Sequence, residues 1–243
     1  MKIFRKLNDI KVLSFDLDDT LYNNKPIIKA ALDAQFGYIK QIPSIGEKWQ
    51  AQGDNFWERC RVAVQNNTPG IKQNVTLLRQ HALDYAFNFL GLSDQESERH
   101  SKAAYQAFIT ARSQVNVEPE VLALLKDLSQ KYTLIAITNG NVDISKFCLK
   151  DSFEFLLMAG FDGAQKPAAD MFELAANKLN VKLENILHIG DNLDSDIQGA
   201  NNNGCMSCWL NEDPIKTSYK GLADIEITNI LPKLGEFLQN SDG

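Results

Sequence analysis

The stretch Lys11–Tyr22, KVLSFDLDDTLY, limits what this chain can fold into more than any other. Val12, Leu13, Ser14 and Phe15 form a short, mostly apolar run without polar alternation, the pattern of a strand covered on both faces in a parallel α/β sheet. The run stops at two carboxylates spaced two apart, Asp16 and Asp18. In such sheets ligands bind beyond the carboxyl ends of the strands, which is where these acids fall. Asp is also common in turns, so D-x-D-x-T alone reads equally as an ordinary loop.

Three later stretches repeat the arrangement of apolar run followed by polar terminus. Tyr132–Thr138, YTLIAIT, is a buried strand ending at Thr138, Asn139 and Gly140, and Gly140 permits a tight turn there. Lys166 precedes Pro167, a suitable first residue for a helix over 168–179. Asn185–Ile189 is a strand, followed by Gly190, Asp191, Asn192 and Asp196 in HIGDNLDSD. Asp191 caps that strand, while Asp194 equally fits as the cap of a helix over 194–203 closed by Gly204. His188 lies inside the strand and reads as a satisfied buried residue. Further strands are expected at 153–159, 206–210 and 225–228, with a helix over 119–130 and a terminal helix. Repeated strand and helix units specify a doubly wound parallel sheet.

Between Tyr22 and Glu118 the pattern is helical throughout. Pro26 opens a first helix carrying Ile27, Ile28, Ala31, Leu32, Phe36 and Ile39 at spacings of three or four. A second is expected from about Ser44 to Gln65, a third from Asn74 to Leu90, and a fourth from the capping box Ser93/Glu96 to Arg112. Asn66–Gly70 is a breaker. Four helices without a strand make a bundle inserted in the sheet domain.

Composition narrows the class. With 243 residues and 44% apolar content the chain can bury a core. Its apolar runs are far shorter than the roughly 20 residues of a membrane span. MKIFRKLNDI has no signal-peptide apolar region, so a cytoplasmic protein is expected. A net charge of −6 argues against nucleic-acid binding. The charge is uneven: residues 23–114 carry 11 basic and 8 acidic side chains, the remainder 14 and 23. Cys205 and Cys208 form C-x-x-C, but no second pair completes a zinc site, and CMSCWL reads as strand, so structural thiols are expected.

The order D-x-D-x-T, T-N-G, K-P and G-D-x-x-x-x-D, spread over nearly the whole chain, resembles the haloacid dehalogenase superfamily of aspartate-nucleophile phosphotransferases. The resemblance implies a Rossmann-like core over 1–22 and 115–243 with a helical cap over 23–114. It implies that Asp16 attacks phosphorus and becomes an aspartyl phosphate, and that Asp18 protonates the leaving alkoxide and then deprotonates water. Family ATPases usually carry Thr at the second acid and dehalogenases lack it, so Asp18 favours a phosphatase or phosphomutase. A carboxylate about 4 Å from a phosphate is repelled by roughly 4 kcal/mol at an effective dielectric near 20, so cations must be supplied. Lys166 is one, and the other is Mg2+, held by the Asp16 side chain, the Asp18 carbonyl and Asp191. Thr138, Asn139 and Lys166 would bind the phosphate with Asp16 and Asp18. Asp196 would hold Lys166 or a water on the metal, and Asn192 could do similar work.

The stretches FDLDDTLYNN, AITNGN, QKPAADMFELAANKLNV and LHIGDNLDSDIQGA are similar to bacterial phosphatases acting on flavin mononucleotide and on the ribitylaminouracil phosphate of riboflavin synthesis. The expected partner is a small phosphate ester, with no nucleic acid or membrane, on a monomer or weak homodimer. Tyr22, Asn23, Lys25, Trp49, Trp57 and Arg59 are candidate substrate contacts, although Trp49 and Phe56 at helical spacing fit a bundle core as well. Two alternatives stay open: a sugar-phosphate phosphomutase, and a regulatory module that binds phosphoesters without turnover.

Overall fold

The computed structural model describes residues 1–43, 45–146, 148–211, 222–228 and 234–235. The chain forms two compact units, Met1–Asn23 with Asn116–Gly140 and Ile144–Gly243, and Asn24–Val115 with Asn141–Asp143. In chain order the strands are β1 (Lys2–Ile3), β2 (Val12–Phe15), β3 (Thr133–Thr138), β4 (Leu156–Met158), β5 (Ile186–Gly190), β6 (Met206–Leu210) and β7 (Ile225–Ile227). The α-helices are α1 (Asn24–Lys40), α2 (Ile45–Ala51), α3 (Phe56–Asn67), α4 (Val75–Phe89), α5 (Asp94–Arg112), α6 (Pro119–Leu128), α7 (Asp170–Leu179) and α8 (Gly199–Asn202).

The first unit is a seven-stranded sheet in the order β1-β7-β6-β5-β2-β3-β4, parallel except at β1–β7. From β2 the chain proceeds outward through β3 and β4, then returns to place β5, β6 and β7 on the other side. That reversal makes the carboxyl ends of β2 and β5 a topological switch point, the usual crevice for ligands in open α/β sheets. Registers pair Ser14 with Ile135 and with His188. Side chains of paired residues share a face, so Ser14 and His188 are neighbours by register alone. Val12, Ile135 and Ile186 pack with Met171, Phe172, Ala175 and Ala176 of α7, a stripe at helical spacing. Cys60, Cys205 and Cys208 are buried free thiols and Cys148 is exposed.

The second unit is helical. Ile39, Ile45, Phe56, Cys60, Leu83, Ala86, Phe87 and Ala104 form its core, flanked by Phe36, Trp49 and Trp57. The Asn74 side chain accepts from the Thr76 and Leu77 amides to cap α4. Ser93 and Glu96 cap α5 reciprocally, as the sequence pattern predicts.

Several expected elements are redrawn. The single helix over 44–65 is two, α2 and α3, because Gln52, Gly53, Asp54 and Asn55 intervene and Gly53 takes φ +78°. The strand over 153–159 shortens to β4, and the helix after Lys166 begins at Asp170. The helix over 194–203 opens as a π-helical turn, Leu193–Gln198, in which the Asn192 carbonyl accepts from both Asp196 and Ile197. Its cap is Asn192, whose side chain accepts from the Asp194 and Ser195 amides, in place of Asp194. β1 is too short for a periodicity signal. Of the expected terminal helix only Leu234 and Gly235 lie among the described residues, where they are helical.

Adjacent leucines on α4 test this packing. Leu78 is 3% exposed and Leu77 44%. In urea denaturation Leu78→Ala is expected to cost about 2–5 kcal/mol, and Leu77→Ala under about 1 kcal/mol.

Candidate active site

Asp16 leaves the end of β2 with its amide still on the ladder, donating to the Ile189 carbonyl at 2.9 Å. Its side chain receives the Lys166 ammonium at 2.8 Å. Lys166 is 1% exposed and also donates to the Ile137 carbonyl at 2.6 Å and to Asp196 Oδ1 at 2.7 Å. The three ammonium protons are thereby assigned. Burial works against the Lys166 charge, but Asp16 and Asp196 outweigh it and raise its pKa. Burial likewise opposes ionisation of Asp196, yet Lys166 and His188 hold its carboxyl below the usual range. Asp16 is the carboxylate in excess: burial pushes it well up, Lys166 opposes this and Asp196 reinforces it.

His188 supports Asp196 from β5. Its Nδ1 lies 2.9 Å from Ser14 Oγ and its Nε2 3.3 Å from Asp196 Oδ1. Lys166 has spent its protons elsewhere, so Nε2 carries the imidazole hydrogen and donates to Asp196, while Nδ1 accepts from Ser14. Burial, then Lys166, lower its pKa to about 4, so the ring is neutral. The second Asp196 oxygen accepts from the Asn192 amide at 3.0 Å. The carboxylate is wedged against the end of β5: a Cβ on Gly190 would lie 2.4 Å from its Cγ. Only a residue without Cβ lets the π-helical turn come this close.

Asp191 lies beyond β5, with the Thr20 hydroxyl donating to its Oδ1 at 3.3 Å and the Trp209 indole donating to its backbone carbonyl at 2.9 Å. Burial, then Asp196 and Asp19, push its carboxyl up to about 6. Asp16, Asp191 and Asp196 each bring one oxygen within 4.8 Å of the others. Both Asp196 oxygens are engaged by protein donors, so Asp16 and Asp191 are the pair left to hold a cation. Three clustered carboxylates, two of them sharing one ammonium, fit a hard, oxygen-seeking dication, which would relieve the surplus negative charge.

Thr138 is buried at the end of β3, and its Oγ1 accepts from the Gly140 amide at 2.9 Å, keeping its proton for another acceptor. Asn139 is committed to Lys166: its Nδ2 donates to the Lys166 carbonyl at 2.9 Å and its Oδ1 accepts from the Lys166 amide at 2.8 Å. Asn192 is likewise occupied as a helix cap. Asp18 is half-buried and accepts from the Tyr22 hydroxyl at 2.7 Å. The intervening Asp19 turns the chain at φ +58°, a conformation Asp tolerates better than most residues.

Of the candidate substrate contacts, Asn23 and Lys25 are exposed. Trp49 and Trp57 join the helical unit's aromatic cluster, where Trp49 meets Phe56 edge-on at 5.0 Å. Arg59 stacks on Phe56 at 5.5 Å. Sequence reasoning overlooked Ser14, Thr20 and Trp209 as supports. Thr20 carried a signal, being the Thr of D-x-D-x-T; Ser14 and Trp209 become visible only with strand register.

Comparison with known proteins agrees with this geometry. A family model described as haloacid dehalogenase-like hydrolase matches residues 10–204. Over 210 residues the chain is 39% identical to the 5-amino-6-(5-phospho-D-ribitylamino)uracil phosphatase YigB of Escherichia coli (strain K12), covering 86% of this chain and 87% of that one. Over 242 residues it is 35% identical to a glyceraldehyde 3-phosphate phosphatase of Pyrococcus furiosus, covering 96% and 95%. A 2-haloacid dehalogenase from Pseudomonas syringae pv. Tomato DC3000 superposes with TM-score 0.85 at 30% identity, covering 95% of this chain and 98% of that one.

Gly190→Ala is expected to drive Asp196 from its place and leave Lys166 underpartnered, a loss of at least about 2 kcal/mol in denaturant stability. A variant as stable as the wild type would contradict this account of the glycine.

Proposed function

The chain belongs to the haloacid dehalogenase-like hydrolase family, and from that premise we propose that it is a magnesium-dependent phosphatase of small phosphate monoesters working through an aspartyl phosphate. The observation that carries the reading is Asp16: one carboxylate at a strand end, with one oxygen on a buried ammonium, beside a second acid, Asp191, suited to share a cation.

In this reading Asp16 attacks phosphorus in line with the ester oxygen, forming a phosphorus–oxygen bond as the bond to the alkoxide breaks. Asp18, oriented by the Tyr22 hydroxyl, gives its proton to the departing oxygen and then takes one from the water that cleaves the acyl phosphate. Lys166 holds Asp16 in place and offsets negative charge beside it, and the Thr138 hydroxyl is a donor for a phosphate oxygen. Asp16, Asp191 and the Asp18 carbonyl would hold Mg2+, which when bound neutralises charge between carboxylate and phosphate. Asn139 serves by fixing Lys166, and Asp196 by anchoring its ammonium.

The extent of identity to YigB supports 5-amino-6-(5-phospho-D-ribitylamino)uracil as substrate, with flavin mononucleotide as the related candidate. The helical unit is read as the cap. Among the described residues no helix is long and apolar enough to cross a membrane, and we place the reaction in the cytoplasm, on a monomer or weak homodimer. The likeness to a haloacid dehalogenase raises a second chemistry, carbon–halogen cleavage, which Asp18 disfavours because dehalogenases lack the second acid.

Phosphate release from these esters with magnesium tests the proposal. Asp18→Asn is expected to lower kcat by about 10²–10⁴, and Asp16→Asn to abolish turnover; magnesium-independent release, or halide release from 2-chloropropionate instead, would reject it. At ten times its dissociation constant magnesium should add about 1.4 kcal/mol of stability, raising Tm by roughly 3–6 °C, and Asp191→Asn should lose that shift.

A further inference from the structure

Inside the helical unit, Gln35 of α1 and Arg79 of α4 meet, with Arg79 Nη1 donating to Gln35 Oε1 at 3.1 Å. The guanidinium stacks 3.6 Å above the centre of the Phe108 ring on α5 and lies 5.5 Å from that of Trp57 on α3. Phe108 closes one face of the guanidinium, so a further partner is favoured at its edge, where N–H groups project in pairs.

Among the described residues none supplies that partner. No carboxylate among them pairs with Arg79; of the groups that act on it, Arg61 and Arg112 are of its own sign and Tyr105 alone favours its charge. Burial, then Arg61, push its pKa down to about 9. Arg61 itself pairs with Glu58 at 2.8 Å. Gln35 is 0% exposed, and its Nε2 has no acceptor among the described residues. Buried donors without acceptors are rare in folded proteins, and a mostly buried cation without a counter-ion is rarer. Two such departures share one hydrogen bond. The spot is rich in donors, poor in acceptors, positive, and flanked by aromatic rings.

We propose that Gln35 and Arg79 form a binding site, contained within the helical unit, for a small planar oxyanion of the carboxylate kind borne on a flat ring. The guanidinium edge matches two coplanar oxygens, and Gln35 Nε2 adds a donor. The oxyanion could be a substituent of the ester being hydrolysed or belong to a separate metabolite. Only that distinction rests on the phosphatase reading; the site itself does not.

The full chain is titrated with benzoate, following tryptophan fluorescence, for which Trp57 is the near reporter, and Tm. Saturable binding is expected in the wild type and in Asp16→Asn, weakened at least tenfold in Arg79→Met and also weakened in Arg79→Lys, which keeps the charge and loses the fork. A preference for 4-carboxyphenyl phosphate over phenyl phosphate that Arg79→Met removes assigns the oxyanion to the substrate. Benzoate changing phenyl phosphate turnover without raising KM assigns it to a separate ligand. No saturable benzoate binding in the wild type, or equal binding in Arg79→Met, overturns the proposal.

Discussion

The Lys166 ammonium is out of water, and a charge so placed is tolerable only where acceptors are fixed in advance. Here they are Asp16 from the end of β2, the Ile137 carbonyl from β3, and Asp196 from the π-helical turn after β5. Three segments far apart in sequence must therefore be correctly registered before the lysine can be buried. The dependence also runs the other way, because without the ammonium Asp16 and Asp196 would face each other as like charges. Fold and site are coupled through one cation.

Topology explains why the groups meet. The chain runs outward from β2 in one direction and resumes from β5 in the other, so the loops after these two strands open away from each other. Asp16 and Asp191 stand at that gap, with Thr138 one strand away. Register adds a layer beneath: Ser14 and His188, paired across β2 and β5, transmit a hydrogen-bond chain to Asp196. Each residue at the rim is held by one in the sheet. The surplus of carboxylate over ammonium is then what a bound dication would balance.

What could be read from the chain was what local pattern determines. Apolar runs ending at Asp16, Thr138 and Asp191 marked the strands and their polar ends, and Ser93 with Glu96 marked a helix start, because each signal lies within a few residues. Hydrogen-bond partners across the sheet could not be read in this way. That the Lys166 main chain takes both ends of the Asn139 side-chain amide is one such pairing, and it leaves open the phosphate contact expected of the Asn139 backbone amide. Asn192 rather than Asp194 caps the following turn because that turn is widened, a change no residue pattern announces. Gly190 was legible as a loop glycine, but its reason, an Asp196 carboxylate against the strand, exists only in three dimensions. Arg79 is the opposite case, since its α4 position gives no hint that no carboxylate among the described residues pairs with it.

The central claim is that the Asp16 carboxylate, held by Lys166, takes the phosphoryl group itself. Acyl phosphates are reduced by borohydride, so quenching turnover with it and sequencing the peptides by mass spectrometry addresses the claim directly. The account predicts homoserine at position 16, dependent on substrate and absent without it. Steady turnover with Asp16 unmodified under these conditions, or reduction at another carboxylate, would contradict it.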